Sequence, residues 1–213
     1  MIRLALLLSL GCLFFLFFPQ IDIATSSLFY HHGFYLKKSL FARFIYEATI
    51  VTTALFAIAT LSLLLLQLVT KKRLVDTMVL IYLLATLAIG PGLVVNELFK
   101  NHFGRARPSQ ITTFGGTKAF TPALVPTDQC KKNCSFSSGH AAAAFYFVAL
   151  FPLVRRKRVA LLLALLWGWT VGFVRIIQGG HFLSDVYCSM VVDILVAGVL
   201  YWLLIENPRK GSE

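Results

Sequence analysis

Six long apolar stretches, separated by short polar connectors, restrict this chain to one kind of fold. They run approximately from Leu4 to Phe18, Phe44 to Val69, Thr77 to Phe99, His140 to Val154, Val159 to Ile177 and Leu183 to Ile205. Crossing the hydrocarbon layer of a bilayer takes about 20 apolar residues in helical form, because each backbone N–H and C=O must find its partner within the segment. The pattern therefore predicts an all-α, polytopic membrane protein: a six-helix bundle, with residues 1–213 as a single domain. The first and fourth stretches are short. The fourth gains a turn from Phe136 to Gly139, and the first is expected to run past Pro19 toward Ile23. A cleaved signal peptide is the alternative for the first stretch, since Arg3 precedes it, but Pro19, Gln20 and Asp22 make a poor small-residue cleavage site.

With 58% apolar and only 14% charged residues, the chain has too little polar surface for a water-soluble domain. Its net charge of +11 points to anionic head groups or a phosphorylated substrate. It carries neither a long basic face nor a soluble module with interleaved aromatics, which argues against a nucleic-acid partner. Tight basic clusters set the orientation. Lys71, Lys72 and Arg73, then Arg155, Arg156, Lys157 and Arg158, then Arg209 and Lys210, mark the cytoplasmic ends. Charges in the long segment from Asn101 to Ser137 weigh less, so segments at about 19–43, 100–137 and 178–182 are expected on the opposite, periplasmic side. Cys130 and Cys134, in DQCKKNCS, are spaced so that a turn brings them within bridging distance, and an oxidising compartment favours a disulfide. Free thiols are the alternative; a structural zinc would need four ligands. Cys12 and Cys188 lie in apolar runs and read as packing residues.

Three polar clusters interrupt the apolar background. Lys100 precedes Arg107 by seven residues, with Gly104 and Pro108 breaking regular structure nearby, so a compact charge and a planar fork can turn toward one oxyanion. Arg105 reads instead as a head-group anchor. Ser138, Gly139 and His140 open the fourth apolar stretch, where helix N–H groups and a hydroxyl can face an anion. His140 is then placed to act as a general acid. Arg175, His181 and Asp185 form the third cluster. His181 and Asp185 are four residues apart, so Asp185 is expected to orient the imidazole and free one nitrogen to attack phosphorus, while Arg175 completes the cationic cradle. Taken singly, the clusters also fit bland readings: snorkelling anchors, an ordinary helix cap, and a structural polar pair at a helix boundary. Ionisable groups beside membrane helices are costly, which weighs against the last.

The chain resembles the type 2 phosphatidic acid phosphatase (PAP2) superfamily, whose signature has the form K-x6-RP, PSGH and SR-x5-H-x3-D. Here it reads K-NHFGRA-RP, SSGH and VR-IIQGG-H-FLS-D, with Ser137 in place of the usual proline and Val174 in place of the usual serine. The resemblance implies a vanadium haloperoxidase-like bundle and hydrolysis through a phosphohistidine on His181. His140 would serve as acid and then base, and neither cofactor nor metal is implied. The stretches IGPGLVVNELFKNHFGRARP, FGGTKAFTPALV and QGGHFLSDV are similar to the lipid A 4'-phosphatase branch of that superfamily. That similarity implies a phosphorylated membrane lipid, lipid A or a relative, handled at the periplasmic face of a bacterial inner membrane. Losing the phosphate would weaken binding of cationic peptides. Undecaprenyl pyrophosphate, phosphatidylglycerol phosphate and the lipid A 1-phosphate stand as alternative substrates, and a lipid phosphotransferase or a non-enzymatic lipid carrier as alternative functions. Lys37, Lys38, Lys118, Lys131 and Lys132 are candidate second contacts for a multiply phosphorylated lipid. Glu97, one turn before Lys100, is placed to pair with it or to tune it, and Asp193 has no assigned role.

Overall fold

The computed structural model describes residues 2–210, with side chains from 6 to 208. Arg3, which entered the signal-peptide reading, and Arg209 and Lys210, which entered the orientation reading, lie outside the described side chains. The regular secondary structure of the described residues is helical, as the apolar runs predict, with irregular backbone in the connectors and over most of 103–138. Four helices are long and apolar enough to cross a membrane: Leu40–Thr70, Thr77–His102, Lys157–Ile177 and Leu183–Glu206. A bent pair makes up to a fifth, and the stretch Gly139–Leu153 is shorter, so the count of six full spans is not reached on length and composition.

The first departure comes at Pro19. Helix α1 (Ile2–Phe17) stops there, and α2 (Gln20–Ser27) leaves at 83° where a continuous helix was expected. Proline supplies no N–H to continue α1, and the bend carries Asp22 into a fully buried polar site described below. Helix α3 (Leu40–Thr70) is capped by Ser39, whose hydroxyl accepts from the Ala42 N–H at 3.2 Å, and it ends at Lys71 in a left-handed conformation. The Gln67 side chain accepts from Leu74 and Val75 N–H at 2.9 and 2.6 Å, which closes the turn into α4 (Thr77–Leu87), itself capped by Asp76. Pro91 then removes a helical donor, and the backbone widens into a π-helical stretch, Ala88–Phe99, before the short α5 (Lys100–His102). Asn96 donates to the Pro91 carbonyl at 2.8 Å inside that stretch.

Helix α6 (Gly139–Phe145) tightens into a 3-10 stretch, Tyr146–Leu153. It is followed by α7 (Lys157–Ile177), α8 (Leu183–Tyr201), a π-helical turn at Trp202–Glu206 and α9 (Asn207–Lys210). Helix α8 is the centre of the bundle. Close approach is made by small residues, since membrane helices gain little from apolar burial alone. A Cβ on Gly168 would collide with the Phe145 ring, one on Gly172 with Val186, and one on Gly11 with the Tyr187 ring. Helix α3 lies at the periphery, with 17% of its apolar window buried against 50% for α8, and Leu40, Leu55, Leu68 and Val69 project outward as lipid-facing side chains.

Alternation of helix direction gathers the end of α5 and the starts of α6 and α8 with the end of α7 at one end of the bundle. Lys71–Arg73, in the connector after α3, and Arg155–Arg158, across the bend into the first turn of α7, sit at the other. The segment between α5 and α6 is not a loose loop. Ser135 N–H donates to the Arg105 carbonyl at 2.8 Å and Thr127 N–H to the Phe103 carbonyl at 2.9 Å, while Gly104, at φ +61°, allows the Thr127 carbonyl to pass where a Cβ would stand. A disulfide joins Cys130 to Cys134 across 5.6 Å between Cα atoms. Substituting Gly168→Val is expected to cost about 1–3 kcal/mol by overpacking against Phe145. It should lower the thermal unfolding midpoint in detergent, whereas Leu66→Val on the lipid-facing side of α3 should leave it nearly unchanged.

Candidate active site

The three polar clusters converge, and the group that organises them is Arg105. It is 1% exposed, not an interfacial anchor as its sequence setting suggested. Its guanidinium donates to Asp185 Oδ1 at 2.5 Å, Asp22 Oδ2 at 2.8 Å, Ser184 Oγ at 2.8 Å and the Thr121 carbonyl at 2.9 Å, and it lies over the Phe182 ring at 4.3 Å. Burial alone would lower its pKa, but Asp185 and Asp22 outweigh that and hold it above its ordinary value. Asp22 also accepts from the Ser184 N–H at 2.9 Å and the Ser184 hydroxyl at 2.5 Å. The N-terminal bend is thereby tied to the start of α8.

Asp185 is consumed by this network. Its second oxygen accepts from the Ser135 hydroxyl at 2.5 Å and the Phe182 N–H at 2.8 Å, and stands 3.7 Å from His181 Nδ1, too far for the direct orienting bond expected from the i,i+4 spacing. The partner of His181 Nδ1 is the Ser135 carbonyl at 2.7 Å. A carbonyl only accepts, so Nδ1 carries the proton and Nε2 keeps its lone pair. Asp185 thus orients His181 at one remove, by fixing Ser135. Burial pushes the His181 pKa down to about 3, opposed in part by Asp185, so the ring is neutral near pH 7.

Arg107 and Lys100 share one acceptor. Asn133, in the disulfide loop, receives Arg107 Nη2 on both its carbonyl and its side-chain oxygen at 2.9 Å, and Lys100 Nζ lies 3.4 Å from that side-chain oxygen. Glu97 does not pair with Lys100; it accepts from Asn101 at 3.1 Å. Burial lowers the Arg107 pKa, with Asp185 opposing, the condition of a guanidinium short of counter-charge. Lys100 Nζ also lies against Gly139, where an added Cβ would come within 2.9 Å of it. Ser138 caps α6, its hydroxyl accepting from the Ala141 N–H at 3.4 Å. His140 stacks on Tyr46 with centroids 4.0 Å apart, and the Arg175 guanidinium stands 5.1 Å from the same ring. Arg175 donates to Gln178 and rests against Gly180.

Three polar atoms around this group are buried without a hydrogen-bond partner: His140 Nε2, Arg175 Nε and the Ser137 hydroxyl. A buried polar atom is costly to leave unpaired, and for His140 and Arg175, which line cavities, a phosphoryl group would answer that cost. Two adjoining cavities serve the region. Arg107, Arg175, Gly179 and Gly180 line one of about 490 Å³, and Lys100, Gly139 and His140 line the other, of about 370 Å³. His181, 1% exposed, is not among the residues that line either cavity. Asp22, Ser135, Tyr46 and Asn133 are not picked out as site residues by sequence reasoning, which reads Arg105 as an anchor. A lone carboxylate in the first apolar stretch was the available signal for Asp22.

Residues 79–209 match the family model of the PAP2 superfamily. The chain belongs to that superfamily. It is 38% identical over 211 residues to a lipid A 4'-phosphatase of Francisella tularensis subsp. novicida, covering 92% of each chain. It is 40% identical over 134 residues to one from Rhizobium leguminosarum, covering 61% of this chain and 57% of the relative. A lipid A 1-phosphatase of Porphyromonas gingivalis is 36% identical over 85 residues, 35% of this chain and 18% of that protein. No solved structure matches. Family and relatives together support a membrane lipid phosphatase, and the buried Arg105 network supplies that PAP2 site with its rigid floor. Removing one partner of a buried pair leaves an uncompensated charge, at a cost of about 3–5 kcal/mol. Asp22→Ala should therefore lower both the unfolding midpoint and phosphatase activity although Asp22 is remote in sequence from the signature. Arg105→Lys, which keeps the charge but lacks the fork, should lower both as well, whereas a head-group anchor would tolerate the change.

Proposed function

We propose that the protein hydrolyses the 4'-phosphate of lipid A at the periplasmic face of the bacterial inner membrane, through a phosphohistidine on His181 and without a metal. The observation that carries this reading is the tautomer of His181: with Nδ1 held by the Ser135 carbonyl, Nε2 is the atom free to attack. The sequence similarity to one lipid A 4'-phosphatase along 92% of the chain, and to two others along 61%, supports the substrate.

In the first step Nε2 forms a bond to phosphorus as the bond to the sugar oxygen breaks. His140 gives its proton to the departing alkoxide. Lys100, Arg107 and Arg175 hold the equatorial oxygens, whose charge a cluster of fixed cations stabilises without reorganisation. Arrival of the phosphate dianion also offsets the positive field around His140 and favours its protonated form. In the second step His140 takes a proton from water, the resulting hydroxide attacks phosphorus, and the N–P bond breaks to release phosphate and regenerate neutral His181. Basic clusters at the far end of the bundle support a periplasmic site by the charge rule for short loops.

His181→Ala should abolish phosphate release from purified lipid A, and unchanged release would overturn the mechanism. Mass spectrometry of lipid A from cells expressing the chain should show loss of the 4'-phosphate; loss of the 1-phosphate alone would reassign the substrate. Because the folded-state pKa of His181 lies near 3, the nucleophile stays unprotonated well below neutrality. Phosphoenzyme trapped in single turnover, corrected for ionisation of the substrate, should show no His181 acid limb between pH 5 and 8. A limb near 6.5 that moves on altering Ser135 would contradict the buried neutral ring.

A further inference from the structure

The 490 Å³ cavity has more positive charge than one phosphate can use. Five cations line it, Lys37, Lys38, Arg43, Arg107 and Arg175, and no carboxylate does. A phosphomonoester brings about two negative charges at most, and Arg107 and Arg175 are committed to the reacting group. Lys37, Lys38 and Arg43 make no salt bridge among the described residues. They surround the N-terminus of α3, where Ser39 caps the helix and the backbone dipole adds positive potential. Like charges in a concave wall raise the local concentration of anions and favour a polyvalent one.

The wall is also fixed in relation to the reaction centre. Phe34, three residues before Lys37, is buried and packs on Phe114 with ring centroids 5.5 Å apart. Gly179, at φ +64°, faces the Phe34 ring so closely that a Cβ would collide with it. The cationic connector is thereby seated on the turn between Arg175 and His181. Of the five lysines considered from sequence as second contacts, only Lys37 and Lys38 line this cavity; Lys118 is spent on the Gln129 carbonyl.

We infer that Lys37, Lys38 and Arg43 form a second anion subsite, which takes the remote phosphate of a bis-phosphorylated saccharide lipid while Arg107 and Arg175 hold the phosphate being removed. This rests on the lipid A reading above and adds a preference to it: the enzyme works better on the lipid with both phosphates than on the same lipid lacking the 1-phosphate. The same chemistry would suit the head group of a neighbouring anionic phospholipid, so the test must separate the two sources.

The full chain, purified in an uncharged detergent, is assayed for 4'-phosphate release from bis-phosphorylated lipid A and from its counterpart without the 1-phosphate. The wild-type protein should favour the former in kcat/KM by about tenfold, the scale of a few partly exposed charge pairs acting together. In K37A/K38A/R43A the ratio should fall to about one, mainly through a raised KM for the bis-phosphorylated lipid. K37Q/K38Q, confined to two exposed connector side chains, should show an intermediate ratio and serves if the triple variant does not fold. Equal wild-type rates on the two lipids, or a ratio that survives in the variants, would overturn the subsite while leaving the 4'-phosphatase reading intact. Activation of the mono-phosphorylated reaction by added phosphatidylglycerol, lost in K37Q/K38Q, would assign the wall to a bilayer lipid and also overturn it. Release from neither lipid would remove the underlying reading itself.

Discussion

Everything at the reactive end of this bundle leans on one buried guanidinium. Arg105 joins three stretches that are far apart in the chain: Asp22 beyond the α1 bend, Thr121 in the long outer segment, and Ser184 with Asp185 at the start of α8. Taking two carboxylates and an arginine out of water is expensive unless each proton and lone pair is matched. Here the matching is close to complete, with hydroxyls from Ser135 and Ser184 and N–H groups from Phe182 and Ser184 filling the remaining sites. A network of that kind tolerates one arrangement. It fixes Ser135, and Ser135 fixes the His181 ring.

The PAP2 carboxylate Asp185 consequently has a double duty. It anchors the Arg105 network with one oxygen, and with the other holds the serine whose carbonyl sets the His181 tautomer. Spacing along the sequence pointed to a direct contact, since residues four apart share a helical face. His181 instead sits before α8 begins at Leu183, so the helical register on which the direct contact depended does not extend back to it.

Most of the bundle was legible because membrane insertion writes itself into long apolar runs, and the residues in the three signature clusters stand out as rare charges among them. The bend at Pro19 was harder to read. Helices tolerate proline when neighbouring groups re-satisfy the backbone, and what decides this case is a carboxylate partner, Arg105, located 83 positions downstream. Tyr46 was invisible for a related reason: an aromatic residue in an apolar helix looks like any other, and only the tertiary fold brings its ring against both His140 and Arg175. Arg105 was misread because position beside a membrane helix says nothing about which way a side chain points.

The short disulfide ring has a bearing on how cargo gets in and out. Through Asn133 it lends Arg107 two neutral oxygens, and Lys100 stands at the edge of the same reach, so the two cations face a built-in stand-in for an anion. In the reaction proposed above, an incoming phosphoryl group would trade places with that amide, and a departing one would be replaced by it. Capture therefore begins as an exchange of acceptors, and the free product leaves against a competitor that the polypeptide never loses.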